Sequence, residues 1–198
     1  IGGTVFAEVA IFSGVGLVMS KYPSLVIASH QAAMNFSNLM YAFPLSISSA
    51  MAIIISYEFG ARRMDAVKSY SKLGRLTALG FSIFTLIFLY FLRYDLAELY
   101  GHEPDFLRMT AIFMTYSLFF QVADVFAAPL QGILRGYKDT KVPFYLGVLT
   151  YWGITLPVGF LLEKVTGLGP YSYWIGLIAS LIVSGLCYQW RLNRIVKR

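Results

Sequence analysis

The sequence predicts an all-α integral membrane protein with six transmembrane helices in a single helical unit. Hydrophobic residues make up 58% of the 198-residue chain and charged residues only 13%, and the mean hydropathy is +0.65. Water-soluble domains of this length do not have such a composition. The charges also fall in short clusters between six apolar runs, most of which have at least the roughly 20 residues that a helix needs to cross a bilayer.

The apolar runs set the predicted helices, which lie at about 1–20, 25–58, 72–93, 106–134, 142–162 and 171–190. The second run is long enough for one overlong helix or for two short crossings. Two crossings would place Arg62 and Arg63 on the side of the membrane opposite to the other basic loops, so a single helix is predicted. Pro44 is its natural bend, because proline has no N–H and its ring clashes with the carbonyl of Met40.

Loop charge also predicts the orientation of the chain. With six single crossings, twelve Lys and Arg residues fall on one side of the membrane and four on the other. The positive-inside rule therefore predicts that both ends of the chain lie in the cytoplasm. The chain begins at Ile1, inside an apolar run and without the pattern of a signal peptide, so we expect a fragment of a longer protein.

Several classes of function are excluded at this stage. The composition excludes a water-soluble enzyme, and the net charge of +6 is scattered between apolar runs rather than gathered on a nucleic-acid-binding face. Cys187 is the single cysteine, which allows no intrachain disulfide and no cysteine-based metal motif. No phosphate-binding loop and no catalytic grouping is present, so neither an enzyme nor an ATP-driven pump is predicted and no cofactor is expected.

Two acidic residues inside apolar helices are the most informative positions. Glu8 interrupts the first run and Asp124 the fourth, and a carboxylate near the bilayer centre costs about 2.5 to 3.5 kcal/mol on insertion scales. No Lys or Arg lies within the apolar part of any run. A proton, a metal cation, a cationic substrate or a group from elsewhere in the protein must therefore neutralise these acids, and exchange of two cations at such a site is secondary transport.

Two stripes of polar residues follow helical spacing, which places each stripe on one face of its helix. The fourth run carries Ser117, Gln121, Asp124, Ala128 and Gln131. The second run carries Gln31, Asn35, Asn38 and Tyr41. Interhelical hydrogen bonds or the lining of a watery cavity would each explain these stripes. The carboxylates and the tyrosine are hard oxygen donors, which suit Na⁺ or another hard cation.

Two stretches of the chain resemble the multidrug and toxic compound extrusion (MATE) family. The first is LQGILRGYKDTKVP at 130–143, with Tyr151-Trp152 and LPVG at 156–159; it looks like the connection between segments ten and eleven of that family. The second is ASHQ at 28–31, with Asn35-Phe36, YAFP at 41–44 and FGA at 59–61; it is similar to segment eight.

The resemblance carries expectations for fold and function. The family has twelve helices in two lobes, and the chain, at 1–198, is similar to the C-terminal lobe; the N-terminal lobe is missing from it. The resemblance implies a bacterial inner-membrane antiporter that exchanges Na⁺ or H⁺ for organic cations and other toxic compounds by alternating access. In the NorM-like branch, Glu8, Tyr41 and Asp124 match the residues of the ion site, which favours Na⁺.

The expected partners are the bilayer, the N-terminal lobe and organic cations, with no nucleic acid. Side chains assigned to the substrate cavity are Gln31, Asn35, Asn38, Gln121 and Gln131. Two alternatives remain open. A flippase for lipid-linked precursors would need a basic cavity, whereas this one is acidic or neutral. A membrane subunit that does not transport would tolerate neutralisation of both acids.

Overall fold

The structure is a computed structural model that describes residues 2–196, with side chains described for all of these except 2–5 and 8. Six α-helices make up this part of the chain, which confirms the predicted all-α architecture. They are α1 (Gly2–Met19), α2 (Ser24–Gly60), α3 (Met64–Glu98), α4 (Pro104–Gly136), α5 (Lys141–Thr166) and α6 (Tyr171–Val196). Helices α2 to α6 are long and apolar enough to cross a bilayer, and α1 contains the shorter apolar segment Val9–Met19.

The helices extend beyond the apolar runs that predicted them. Helix α3 starts at Met64 and ends at Glu98, whereas its apolar run predicted 72–93. Its first turns carry Lys68 and Lys72, which are exposed, while Val67 and Ser71, the residues directly before them, are buried. Charged side chains ended the apolar run without ending the helix, because an amphipathic turn keeps its charges on the solvent side. Helix α2 runs as one helix of 37 residues with Pro44 inside it.

Helix α4 is the centre of the unit. It packs against α2, α3 and α6, while α5 packs against α6 and α1. Buried residues occupy most of α4, from Phe106 near its start to Gly136 at its end. An exposed stripe remains on one face, and its side chains are apolar: Ile112, Phe119 and Phe126. The polar groups on the buried faces therefore stand out as chemically important.

Glycines allow the helices around α4 to approach closely. A Cβ atom added at Gly132 would lie 2.2 Å from the carbonyl oxygen of Ser48 on α2. At Gly176 on α6 it would lie 2.3 Å from the carbonyl oxygen of Thr155 on α5. Without a hydrophobic effect to drive helices together in lipid, such close contacts provide the packing energy.

Helices α2 and α4 end in the same way. The N–H of Arg63 donates to the carbonyl of Glu58 at 3.0 Å, and the N–H of Asp139 donates to the carbonyl of Leu134 at 3.0 Å. The residues just before them, Arg62 and Lys138, adopt positive φ angles of 58° and 63°. Both helices thus close with a left-handed residue that satisfies their last carbonyls.

The opposite end of the unit is tied by a group that we call the Glu163 cluster: Lys21, Tyr22, Glu163 and Tyr173. Lys21 Nζ lies 2.6 Å from Glu163 Oε2 and donates to the Tyr173 hydroxyl at 3.0 Å. The hydroxyls of Tyr22 and Tyr173 both donate to the Glu163 carboxylate. The cluster therefore joins the α1–α2 connection to α5 and α6.

Candidate ion site and substrate groove

Asp124 lies at the point where five helices meet. Its side chain is only 6% exposed and lines a cavity of about 20 Å³. The other residues of the lining come from α1, α2, α4, α5 and α6: Ile11, Phe12, Tyr41, Phe120, Tyr151, Leu177, Ser180 and Leu181. A volume of about 10 to 15 Å³ on this measure holds one water molecule, so the cavity has room for a water or for one small ion.

A second, smaller cavity of about 10 Å³ adjoins the first through shared residues. It is lined by Asp124, Gln131 and the tyrosines Tyr41, Tyr151 and Tyr188, together with Ala127 and Ala128. Each of the five polar residues is engaged in a hydrogen bond, a ring contact or an electrostatic interaction. We call this group the Asp124 cluster: Tyr41, Asp124, Gln131, Tyr151 and Tyr188.

The electrostatics of the Asp124 cluster favour a cation. Among the described residues, no lysine or arginine lines either cavity. The carboxylate of Asp124, the phenol oxygens and the amide oxygen of Gln131 are all hard donors, which bind alkali and alkaline-earth cations better than soft metals. The same carboxylate takes up a proton when desolvation outweighs its other interactions. Over the described side chains there is no group of three or more His, Cys, Asp and Glu residues of the kind that binds transition metals.

The structure brings together some of the predicted ion-site residues. Tyr41 and Asp124 line the same two cavities, although they are far apart in sequence and lie on α2 and α4. Glu8 belongs to α1, three and four residues before Ile11 and Phe12, both of which line the larger cavity. The side chain of Glu8 lies outside the described residues.

Sequence reasoning missed Tyr151 and Tyr188 as members of the cluster. Both are buried, and the hydroxyl of Tyr188 donates to the carbonyl of Pro143 at 3.4 Å. A signal was present in Tyr151, which sits well inside α5 rather than near a membrane interface, where tyrosines are common. Tyr188 gave no such signal, because it lies close to the basic end of α6.

The polar stripe of α2 lies in a different place, on an open groove. Gln31, Asn35 and Asn38 line a groove of about 410 Å³ together with Ala28, Ala32, Met34, Tyr100 and Phe106. Tyr100, just after α3, donates its hydroxyl to Asn35 Oδ1 at 3.1 Å. We call this surface the α2 groove. It reaches the size range of small-molecule sites, about 300 to 1,000 Å³.

Only part of the polar stripe of α4 lies at these surfaces. Gln131 belongs to the Asp124 cluster. Gln121 is 8% exposed and lines neither the Asp124 cavities nor the α2 groove. Its Nε2 atom is buried without a hydrogen-bond partner among the described residues. The polar residues assigned by sequence to one substrate cavity therefore do not share one: Gln131 lies in the enclosed site, the three amides of α2 line the open groove, and Gln121 lies at neither.

A six-helix unit with a carboxylate buried between its helices is the architecture of a membrane transporter lobe. The family described as MatE matches residues 1–161. The chain therefore belongs to the MATE family of membrane transporters, which are not enzymes.

Relatives from several bacteria match the chain over its whole length. The chain is 68% identical over 198 residues to the probable multidrug resistance protein NorM of Streptococcus pneumoniae (strain ATCC BAA-255 / R6). It is 46% identical over the same length to the probable multidrug resistance protein NorM of Bacillus subtilis (strain 168). These matches cover 100% of the chain and 44% of each relative, so the chain spans less than half the length of these curated relatives.

Solved structures show the same fold. The crystal structure of the eukaryotic MATE transporter AtDTX14 superposes with a TM-score of 0.89 at 16% identity, over 96% of this chain and 43% of that one. An outward-facing conformation of a multidrug resistance MATE family transporter of the MOP superfamily gives a TM-score of 0.80 at 14% identity, over 99% and 44%. The six helices thus correspond to about half of a MATE transporter.

Proposed function

We propose that the full-length protein is a multidrug efflux antiporter that couples export of organic cations to entry of Na⁺. The observation that carries this proposal is Asp124, a carboxylate buried where five helices meet, in a cavity that Tyr41, Tyr151 and Ser180 also line. An ion that binds there neutralises the charge, and its release leaves a carboxylate that is costly to keep in the membrane. That cost favours exchange of one cation for another. The names of the bacterial relatives support multidrug resistance as the purpose of the exchange.

In this proposal Asp124, Tyr41 and Glu8 hold the coupling ion. Asp124 supplies the charge and Tyr41 a neutral oxygen from the opposite helix. Glu8 is included because of its position on α1 before Ile11 and Phe12, which line the cavity. Na⁺ is favoured over H⁺ because a proton needs one base, whereas this cavity offers several hard oxygens around a space of about 20 Å³.

The α2 groove is the proposed contact surface for the exported compound. Gln31, Asn35 and Asn38 offer amide groups that hydrogen-bond without a fixed charge, and Tyr100 and Phe106 offer aromatic rings. A cation can stack on such rings with little demand for one molecular shape. Gln131 is proposed to link the ion site to the substrate path. The buried amide of Gln121 is proposed to line the substrate path in another conformation of the protein.

We propose that the protein resides in the bacterial inner membrane with both ends of this chain in the cytoplasm. With six alternating crossings, α2, α4 and α6 end on the same side of the membrane, the side to which the sequence assigns the larger number of basic residues. The N-terminal lobe is the proposed partner across the α2 groove, because the matched relatives are more than twice as long as this chain.

The test uses the full-length protein in proteoliposomes. A fluorescent organic cation is loaded, and its efflux is followed under an imposed Na⁺ gradient at fixed pH and then under a pH gradient without Na⁺. We expect Na⁺-driven efflux in the wild type and none with Asp124→Asn. Asp95→Asn, the same change at an exposed position of α3, is the matched control and should retain efflux.

Each other outcome assigns the protein differently. Efflux driven only by the pH gradient makes H⁺ the coupling ion. Efflux unchanged in Asp124→Asn removes Asp124 from the ion site. No efflux under either gradient refutes the multidrug proposal and favours the flippase or the membrane subunit.

A further inference from the structure

A second groove lies at the basic end of the unit, between the start of α3 and the end of α6. It has a volume of about 290 Å³, and none of its lining residues belongs to the Asp124 cluster. Its walls are formed by Lys68, Ser71, Arg75, Tyr137, Gln189, Leu192, Asn193 and Val196. We call it the α3–α6 groove. Neither the ion site nor the substrate groove uses it.

Positive charge dominates the polar wall of this groove. Lys68 and Arg75 lie seven residues apart on α3, so they share one face of the helix. The ion pairs among the described residues are Lys21–Glu163, Arg63–Glu58 and Arg191–Asp139, and neither groove cation belongs to one. Asp139, in the connection between α4 and α5, is already held by Arg191 at 2.6 Å. The groove therefore presents two uncompensated cations.

Hydrogen bonds fix the position of these groups. Arg75 donates through Nε to the carbonyl of Ser71 at 3.2 Å and through one terminal nitrogen to Gln189 Oε1 at 3.3 Å. The amide of Gln189 in turn donates to Asn193 Oδ1 at 2.8 Å. The guanidinium is thus held against α6 with further N–H groups remaining for an anion, since arginine carries five donors. Burial raises the pKa of the Tyr137 phenol, which keeps that hydroxyl protonated and able to donate.

The two helices that flank the groove become apolar toward the middle of the membrane. On α3, Leu79 and Ile83 follow Arg75 by four and eight residues and are 52% and 53% exposed. On α6, Leu186 and Ile182 precede Gln189 by three and seven residues and are 57% and 45% exposed. These spacings keep the side chains on nearly the same helix faces as the groove residues. A basic groove that opens onto apolar helix faces matches a phospholipid, with its phosphate at the helix ends and its acyl chains along the helices.

We propose that the α3–α6 groove binds the phosphate headgroup of an anionic phospholipid through Lys68 and Arg75. Basic pockets between transmembrane helices on the cytoplasmic side are suited to such headgroups, at about 1 kcal/mol for each Lys or Arg near the surface. Free phosphate has the same anionic chemistry. The apolar faces of α3 and α6 favour the lipid as its source, because they add contacts that free phosphate lacks. The site is independent of the coupling ion and of the exported substrate.

Native mass spectrometry of the purified full-length protein tests this site. Dioleoyl phosphatidylglycerol is titrated into the delipidated protein, and the lipid concentration that gives half occupancy of the first bound lipid is measured. The double variant Lys68→Gln/Arg75→Gln should raise that concentration by about 10- to 30-fold, the factor that two lost charges of about 1 kcal/mol each predict. The control Lys72→Gln/Lys141→Gln removes two exposed charges at the same end, outside the groove, and should change it less than about twofold.

A third variant keeps the test decisive if the double variant folds poorly. Asn193→Trp fills the groove and leaves both cations in place, and it should weaken phosphatidylglycerol binding as well. An equal loss in the Lys72→Gln/Lys141→Gln control would overturn the proposal, because it would show attraction to general surface charge. Dioleoyl phosphatidylcholine binding as tightly as phosphatidylglycerol would also overturn it. Displacement of the lipid by inorganic phosphate at equal concentration would overturn the proposal too, since the acyl chains would then contribute nothing to binding.

Discussion

The Asp124 cluster and the α2 groove are both polar, yet they differ in size, charge and access. The Asp124 cavity encloses about 20 Å³ around a carboxylate, whereas the α2 groove spans about 410 Å³ and is lined by neutral amides and aromatic rings. The first has room for one small ion and the charge to bind it. The second has room for an organic molecule and no fixed charge that would select one. This difference supports the proposal that the ion and the drug bind at different surfaces of the same lobe.

The difference arises from the positions of the two helices. Helix α4 is buried except for one exposed apolar stripe, so Asp124 on its buried side is enclosed. Helix α2 buries one side against α4 and leaves Gln31, Asn35 and Asn38 exposed on the other. Tyr41 is the residue of α2 that reaches the Asp124 cavities, one helical turn beyond Asn38. The two surfaces are thus adjacent, and α2 is the wall between them.

The largest effect is expected from separating α2 and α4. Gly132→Val places side-chain atoms where the carbonyl oxygen of Ser48 lies, 2.2 Å from the new Cβ, and backbone atoms cannot rotate away. Overpacking of this kind costs about 1 to 3 kcal/mol and at times more. We expect a clear drop in the thermal midpoint and loss of both Na⁺ and drug binding. Gly153→Val, where a new Cβ meets no atom within 4 Å, should behave as the wild type.

The next largest effect is expected from removing one oxygen of the ion site. Tyr151→Phe keeps the ring and deletes the hydroxyl, so we expect Na⁺ affinity to fall by about tenfold, corresponding to one hydrogen bond or ligand contact of about 1.4 kcal/mol. Drug affinity measured without Na⁺ should not change. Tyr145→Phe on the exposed face of the same helix is the control. A drug-binding defect in Tyr151→Phe would show that the two surfaces are not separate.

A smaller effect is expected in the α2 groove. Asn38→Leu removes an amide from the groove wall and should lower the affinity for a fluorescent organic cation by about fivefold, as loss of one hydrogen bond of about 1 kcal/mol predicts. Leu39→Asn, at the neighbouring exposed position, serves as the control for the surface of α2. Equilibrium binding to the purified full-length protein measures both. An unchanged affinity in Asn38→Leu would remove this residue from the substrate path.

The smallest effect is expected at the Glu163 cluster, which ties together helices that enclose the Asp124 cavity. Hydrogen bonds to Glu163 and Tyr173 raise the pKa of Lys21 above its ordinary 10.5, against an opposing desolvation effect. Burial and the hydrogen bond to Glu163 raise the pKa of Tyr22 above its ordinary 10.0. Raised native pKa values mean that this stabilisation is complete at neutral pH and is lost as the pH rises above about 10.

Glu163→Gln should therefore lower stability at pH 7 by at most about 1 kcal/mol, because the ion pair is partly exposed. Thermal midpoints from pH 7 to 11 measure the effect. The difference between variant and wild type should shrink at the alkaline end. A difference that grows with pH would contradict the assigned charges.

Sequence reasoning gave most of the fold but only part of the site. Six apolar runs were enough to count the helices, because insertion into a bilayer leaves few alternatives to a helix. Asp124 could also be identified from the sequence, because a carboxylate inside a transmembrane helix is costly and therefore rare. The extent of α3 was underestimated, since its first turns are amphipathic and carry Lys68 and Lys72.

Helical spacing could not reveal which residues share a cavity. The stripe on α4 is periodic, but most of α4 is buried, so periodicity does not show that Gln131 joins the Asp124 cluster and that Gln121 does not. Tyr151 and Tyr188 join Asp124 through the packing of α5 on α6 and of α6 on α4, which includes glycine contacts such as Gly176 with Thr155. Those contacts involve residues far apart in the chain.

Equilibrium binding of Na⁺ to the purified full-length protein tests the separation of the two surfaces most directly. Wild type, Asp124→Asn and Asn38→Leu are compared in the absence of drug. We expect Na⁺ binding in the wild type, no detectable binding in Asp124→Asn, and wild-type affinity in Asn38→Leu. Wild-type affinity in Asp124→Asn, or loss of Na⁺ binding in Asn38→Leu, would contradict the assignment of the ion to the enclosed cavity and of the drug to the open groove.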